Sequence, residues 1–191
     1  MNRRYLLAWI SRGLATGVAA VIGLPGVQYL LGVASSGATS ESKYARLMRL
    51  KDLTPGRATL VPVMGQKQDA WVRHDQQVVG RVWLVRKSGS GTDPGGDAVP
   101  VVAMSSVCPH MGCQIQSLSG RGGFQCPCHR ATFSIEGDRE PDPRTKERNH
   151  APRDMDDLEC RVVQEKVTGE WWVEVKYQNF ETGLEHRVVS G

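Results

Sequence analysis

Apolar residues follow two different patterns along this chain. Between Arg12 and Glu41 no side chain is charged, and residues 14–33 form one long apolar run. About twenty such residues are what a helix needs to cross the hydrocarbon core of a bilayer, so residues 13–33 are predicted as a single transmembrane helix. Pro25 and its neighbouring glycines would weaken a soluble helix but are tolerated in a span. From about Tyr44 the pattern changes to short runs of β-branched and aromatic residues bounded by turn formers. These predict strands at 58–63, 70–74, 78–86, 98–104, 132–135, 160–166 and 170–176. Residues 87–97 read as a loop by composition, and Val167-Thr168-Gly169 as a tight turn between the last two strands. The expected fold is mostly β: an antiparallel domain over residues 44–191, preceded by one N-terminal transmembrane helix.

Charge adds a topology to this outline. Arg3, Arg4 and Arg12 precede the apolar run, so the positive-inside rule places residues 1–12 in the cytoplasm and sends the large domain outward. Arg3-Arg4 followed by Tyr5-Leu6-Leu7 resembles the twin-arginine export signal. Gly32-Val33-Ala34 is a passable cleavage site, but the run exceeds the roughly 7–15 residues of a signal core, which favours a retained anchor. Residues 34–43 read as a flexible tether, small and uncharged from Ala34 to Ser40. The formal net charge is only +4 and the basic residues form no regular stripe, so no nucleic-acid partner is expected.

The candidate chemistry lies in two blocks. Cys108-Pro109-His110-Met111-Gly112-Cys113 is followed, after twelve residues, by Cys126-Pro127-Cys128-His129. Each block offers two sulfurs and an imidazole, the ligands that hold zinc and iron–sulfur clusters. A zinc site would normally use CxxC and HxxxH spacings, which are absent here, and would leave two cysteines over. C-x-H-x-G-C followed by C-P-C-H resembles instead the two cluster-binding boxes of the Rieske family. That resemblance implies a 2Fe-2S cluster with Cys108 and Cys126 as thiolate ligands on one iron and His110 and His129 as imidazole ligands on the other. It also implies a Cys113–Cys128 disulfide between the loops, a feature of the branch found in quinol-oxidising cytochrome bc complexes. A disulfide is at home in an oxidising compartment on the outer side of a membrane. Two neutral imidazoles in place of two thiolates raise the potential above that of an all-cysteine ferredoxin. Each ligand histidine keeps a second ring nitrogen for a proton, so His110 and His129 are the expected catalytic residues, one of them taking a hydrogen bond from a quinol hydroxyl.

Residues 137–157 are charged, proline-bearing and without periodicity, and are expected to wrap the surface beside the two loops. Ala151-Pro152-Arg153 resembles the end of the family's proline loop, with Asn149 and His150 where Gly-Pro is more usual. His150 is expected to be a solvated loop residue, and Cys160 a small buried apolar one. High-potential Rieske proteins carry a serine and a tyrosine, two and four residues after the second histidine, that donate hydrogen bonds to sulfur. Here those positions are Ala131 and Phe133, which have no hydroxyl. The resemblance therefore implies a lower potential and menaquinol as the better-matched donor.

The expected function is the electron-transfer subunit of a quinol:cytochrome c oxidoreductase in a bacterial cytoplasmic membrane, with the cluster domain on the periplasmic side. Its partners would be a cytochrome b-type membrane subunit, a cytochrome c-type haem protein and the quinol. An alternative is the Rieske small subunit of a periplasmic oxidase such as arsenite oxidase. A third is a zinc-stabilised binding module.

Overall fold

The computed structural model describes residues 3–35, 44–69, 72–87, 101–118, 122–142, 144, 146 and 148–190. Two units make up the chain, divided between Glu41 and Ser42. The first is helix α1 (Arg3–Ser35), which contains Pro25. It starts ten residues before the predicted span, because residues 3–12 hold no glycine or proline and are mostly good helix formers. It also takes in Ala34 and Ser35, the first residues of the predicted tether; residues 36–43 lie outside the described ones. The stretch Arg3–Leu31 is long and apolar enough to cross a membrane. Within it the Ser11 hydroxyl donates to the Ala8 carbonyl at 3.1 Å and the Thr16 hydroxyl to the Arg12 carbonyl at 2.8 Å. Both polar side chains are thus satisfied inside the helix, as an apolar environment requires.

The second unit is built of antiparallel strands. β1 (Tyr44–Arg49), which the sequence pattern did not single out, leads through a short 3-10 helix (Leu50–Asp52) to β2 (Ala58–Asp69) and β3 (Val72–Arg86). β2 and β3 form one long hairpin where three shorter strands were expected, with register shifts at Val63/Met64 and Gly65/Lys67. Ala70 and Trp71, part of the predicted strand at 70–74, lie outside the described residues, as do 88–100, which hold most of the predicted loop and the start of the predicted strand at 98–104. Then come β4 (Val101–Ser105), β5 (Gln116–Ser117), β6 (Phe124–Gln125), β7 (Thr132–Phe133), β8 (Arg139–Glu140), β9 (Asp157–Leu158), β10 (Cys160–Gln164) and β11 (Trp171–Lys176). β8 and the first residue of β9 fall inside the segment expected to be irregular, because Arg139 and Glu140 find backbone partners on β7 and Asp157 on β4.

Among the described residues three sheets result, ordered β1-β11-β10, β2-β3-β4-β9 and β5-β6-β7-β8. β2 is an edge strand, so Pro62, which has no N–H, sits there without removing an interior ladder bond. The run Val82-Trp83-Leu84-Val85 on β3 is apolar throughout because both of its faces are covered. Val82 and Leu84 join a core with Val173, Val175 and Leu158, while Trp83 and Val85 join a second core with Met104, Phe124 and Phe133. Side chains of a strand alternate between faces, so a continuous apolar run marks burial on both. Trp83 ties the third sheet to the second: its ring lies 5.2 Å from that of Phe124, and its indole N–H donates to the Ile115 carbonyl at 3.3 Å.

The turn before β6 depends on Gly123. Its φ is +95°, and a Cβ there would stand 2.5 Å from the Phe133 carbonyl oxygen. A Gly123→Ala substitution is therefore expected to cost about 1–3 kcal/mol through backbone strain. Thermal unfolding of the purified variant checks it; an unchanged midpoint contradicts it.

Candidate metal centre

The β4–β5 connection carries the first Cys/His block and the β6–β7 connection the second. Both blocks begin Cys-Pro, and both fold into the same local loop. In the first, the Cys108 N–H donates to the Cys113 carbonyl at 2.8 Å and the Gly112 N–H to the Cys108 carbonyl at 2.9 Å. In the second, the Cys126 N–H donates to the Ala131 carbonyl at 2.8 Å and the Arg130 N–H to the Cys126 carbonyl at 3.0 Å. The fifth position of each loop has a left-handed backbone, with φ +78° at Gly112 and +60° at Arg130. Glycine adopts that conformation freely and arginine does so at a cost. Arg130 is held there by Asp142, whose carboxylate receives its guanidinium at 2.8 and 3.3 Å.

These loops bring the predicted residues together. Cys108 and Cys126 are buried in the second core beside Ile115, Ala131 and Ala151. The rings of His110 and His129 lie 4.7 Å apart at 75°. His129 is exposed and His110 half-buried. Cys113 and Cys128 form a disulfide that links the two loops. The Sγ atoms of Cys113, Cys126 and Cys128 lie within 4.8 Å of one another, so the bridge abuts a candidate thiolate. The histidine expected to be merely solvated, His150, is exposed yet stacks on His110 with centroids 6.3 Å apart and planes 24° from parallel. Cys160 is partly rather than fully buried, with its thiol directed at the Val101 carbonyl at 3.3 Å.

The electrostatics fit a metal ligand set. Burial, followed by the proximity of Cys126, pushes the Cys108 thiol up to about 12. A thiolate in that position needs a cation beside it, and metal binding supplies one. Burial first, then His129 and His150, hold His110 below the ordinary imidazole range, which favours the neutral ring that ligates metals. Its Nδ1 atom is buried with no hydrogen-bond partner, and buried polar atoms are rarely left so. With Cys113 and Cys128 joined, the donors gathered here are two thiols and two imidazoles. That set suits zinc or a mixed-ligand iron–sulfur centre equally on chemistry alone.

Comparison with known proteins separates the two. The family model for the Rieske [2Fe-2S] domain matches residues 43–162. The chain belongs to the Rieske family. Its cofactor is a 2Fe-2S cluster, and the zinc reading falls away. Among similar Rieske proteins, the cytochrome b6-f complex iron-sulfur subunit of Gloeobacter violaceus is 24% identical over 188 residues, covering 93% of this chain and 87% of that one. The cytochrome b6-f complex iron-sulfur subunit 1 of Nostoc sp. is 26% identical, covering 90% of this chain and 93% of that one. Among solved structures, a chain of a hyperthermophilic respiratory Complex III matches 83% of this chain and 98% of its own length at 16% identity, with a TM-score of 0.41.

Several residues around the Rieske centre escaped the sequence reading. Arg130 and Asp142 shape the second loop, and the repeated Cys-Pro start of the two blocks was the available signal for their equivalence. Arg153, noted only within the proline-loop resemblance, forms a buried ion pair with Asp156 at 2.8 Å, which their spacing of three alone marks in the sequence. The residues after β11 form a further hairpin, with a bridge between Phe180 and Val189 and bonds from the Glu181 N–H to the Val188 carbonyl and from the Ser190 N–H to the Asn179 carbonyl, both 2.9 Å. No apolar periodicity announces it.

Proposed function

We propose that this Rieske protein is the electron-transfer subunit of a membrane quinol:cytochrome c oxidoreductase, with Cys108, Cys126, His110 and His129 as the ligands of its cluster. The observation that carries this reading is the extent of the similarity. Relatives named as iron-sulfur subunits of cytochrome b6-f complexes align with 90% or more of this chain, a span that cannot fit within the domain at 43–162. The disulfide between the loops supports the same branch.

In this reading residues 1–12 are cytoplasmic, 13–33 form the anchor, 34–43 the tether and 44–191 the cluster domain. Arg3, Arg4 and Arg12 keep the N-terminus inside and put the domain on the periplasmic side. The cytochrome b-type subunit lies in the membrane beside it, and a cytochrome c-type haem receives the electron.

The cluster, when bound, supplies a one-electron acceptor whose potential its histidine ligands raise. The protein does the rest. Cys108 and Cys126 sit in an apolar core that excludes water from the sulfur side. The two imidazoles are less enclosed, with His110 half-buried and His129 reaching solvent. If His110 binds through its orphaned Nδ1, its Nε2 is left to exchange a proton. A quinol hydroxyl hydrogen-bonded at such a nitrogen gives up its proton to the ring as its electron leaves. Purifying the complex from detergent-solubilised membranes tests the assignment: a b-type cytochrome and a c-type haem protein should copurify, whereas a molybdenum enzyme as sole partner would overturn it.

The donor in this reading is menaquinol. Ala131 and Phe133 are both buried in the core that holds Cys108 and Cys126, and neither side chain can donate a hydrogen bond to sulfur. The midpoint is therefore expected in the lower part of the family range of roughly −150 to +300 mV. Ala131→Ser with Phe133→Tyr should raise it, because a donor to sulfur stabilises the more negative reduced state. Protein-film voltammetry of wild type and double variant measures the shift; a wild-type value near the top of that range, unmoved by the substitutions, removes the argument for menaquinol.

A further inference from the structure

The hairpin formed by residues 179–190 lies outside the stretch matched by the Rieske family model, yet it is bonded to the first cluster loop. The Gly183 N–H donates to the Pro109 carbonyl at 2.8 Å. That carbonyl belongs to the peptide joining Pro109 to His110, one residue after Cys108. Fixing its plane fixes the relative direction of a thiol and an imidazole. Thr182 lies near the far side of the loop: its Cγ2 stands 3.8 Å from where a Cβ on Gly112 would be.

Arg153 anchors this hairpin from below. Its Nε and Nη2 each donate to the Asp156 carboxylate at 2.8 Å, its Nη1 to the Leu184 carbonyl at 2.6 Å and its Nη2 also to the Glu181 carbonyl at 2.7 Å. The pair is almost wholly buried, Arg153 at 7% and Asp156 at 4% exposure. A planar guanidinium suits such divided bonding, whereas an ammonium does not. Asp156 in turn accepts the Ser105 N–H on its backbone carbonyl at 2.8 Å, at the point where β4 runs into the first cluster loop. The contacts therefore close a ring, from Ser105 to Asp156, Arg153, the hairpin and Pro109, and back along the chain to Ser105.

We propose that the C-terminal hairpin is a clasp that holds the first cluster loop closed, with Arg153 as the positioning residue that pins it. The proposal rests on the assignment of Cys108 and His110 as ligands. Releasing the clasp frees the peptide between them and admits water to the Cys108 side of the centre. The cluster should then be lost more readily, even where the β sheets stay folded.

Two kinds of measurement on the full-length protein in detergent test this. Hydrogen exchange read by fragmentation mass spectrometry should find the Glu181 and Gly183 amides protected in common with those of Cys108 and Gly112; free exchange at Gly183 overturns the clasp, whatever the ligands are. Truncation after Asn179 and the substitution Arg153→Met should each speed cluster loss to an iron chelator by about tenfold or more, the range seen when support around a metal ligand is removed. Because both break one device, the combined variant should be little worse than either. A purely structural Arg153 would lower the unfolding temperature while leaving the rate of cluster loss and the electron paramagnetic resonance line shape unchanged. A truncated chain that keeps its cluster as long as wild type refutes the proposal, and should Arg153→Met fail to fold, truncation and exchange still decide it. Failure of the ligand assignment would show separately, as a normal spectrum in a His110 variant.

Discussion

Replacing His110 or His129 with alanine removes the Rieske-type electron paramagnetic resonance signal altogether, while circular dichroism of the domain keeps its β character. The expectation follows from how the site is built. The two rings lie 4.7 Å apart, and the buried Nδ1 of His110 has no partner within the protein. Neither histidine contributes to the two apolar cores, so its loss leaves the sheets with their packing. Without one imidazole the remaining three donors cannot complete a mixed thiolate–imidazole shell, and no other histidine substitutes readily. His150 is the nearest candidate, but its backbone is tied down by Asn149, whose side chain donates to the Glu140 carbonyl at 3.0 Å and accepts the Ala151 N–H at 2.9 Å. A signal with unchanged g-values in either variant would sink the ligand assignment.

The second large effect belongs to the disulfide. Cys113 and Cys128 are separated by 15 residues in sequence, and a bridge closing a loop of that size is worth about 3 kcal/mol in the chain-entropy account. Converting both to alanine should lower the stability of the domain by an amount of that order and reduce the fraction of protein that retains its cluster. Guanidinium unfolding of the oxidised wild type against the double variant measures the first, and iron content after gel filtration the second. Equal unfolding midpoints would mean that the loops are held by their backbone bonds alone.

The sequence disclosed the centre far better than its surroundings. Cys108, His110, Cys126 and His129 stand out because thiols and imidazoles at close spacing have few other uses, and the apolar run at the N-terminus was equally plain. The strands were legible where packing imposes a pattern, as in β3, whose central residues are apolar on both faces. They were misjudged where tertiary contact overrides it: β2 and β3 run on as a single hairpin through Lys67, His74 and Asp75 because each strand supplies the other's backbone partners. Arg153 was read only as part of Ala151-Pro152-Arg153, the end of a proline-loop resemblance. Nothing in its neighbours reveals that it would be buried, since its backbone-carbonyl partners lie some thirty residues away and carbonyls are present at every position of any chain. Arg130 was hidden for the opposite reason: its role comes from its own backbone angle, which sequence patterns of hydrophobicity do not report.

The matching geometry of the two cluster loops bears on the rate of electron transfer itself. Each loop is closed by two backbone hydrogen bonds of 2.8–3.0 Å, and a covalent bridge joins one loop to the other. A frame of that kind yields little when the charge at its centre changes by one, because the dipoles around the sulfurs are already fixed in place. The protein's share of the reorganisation energy, the outer-sphere part, is correspondingly small. Electrons can then enter and leave the centre over a modest driving force.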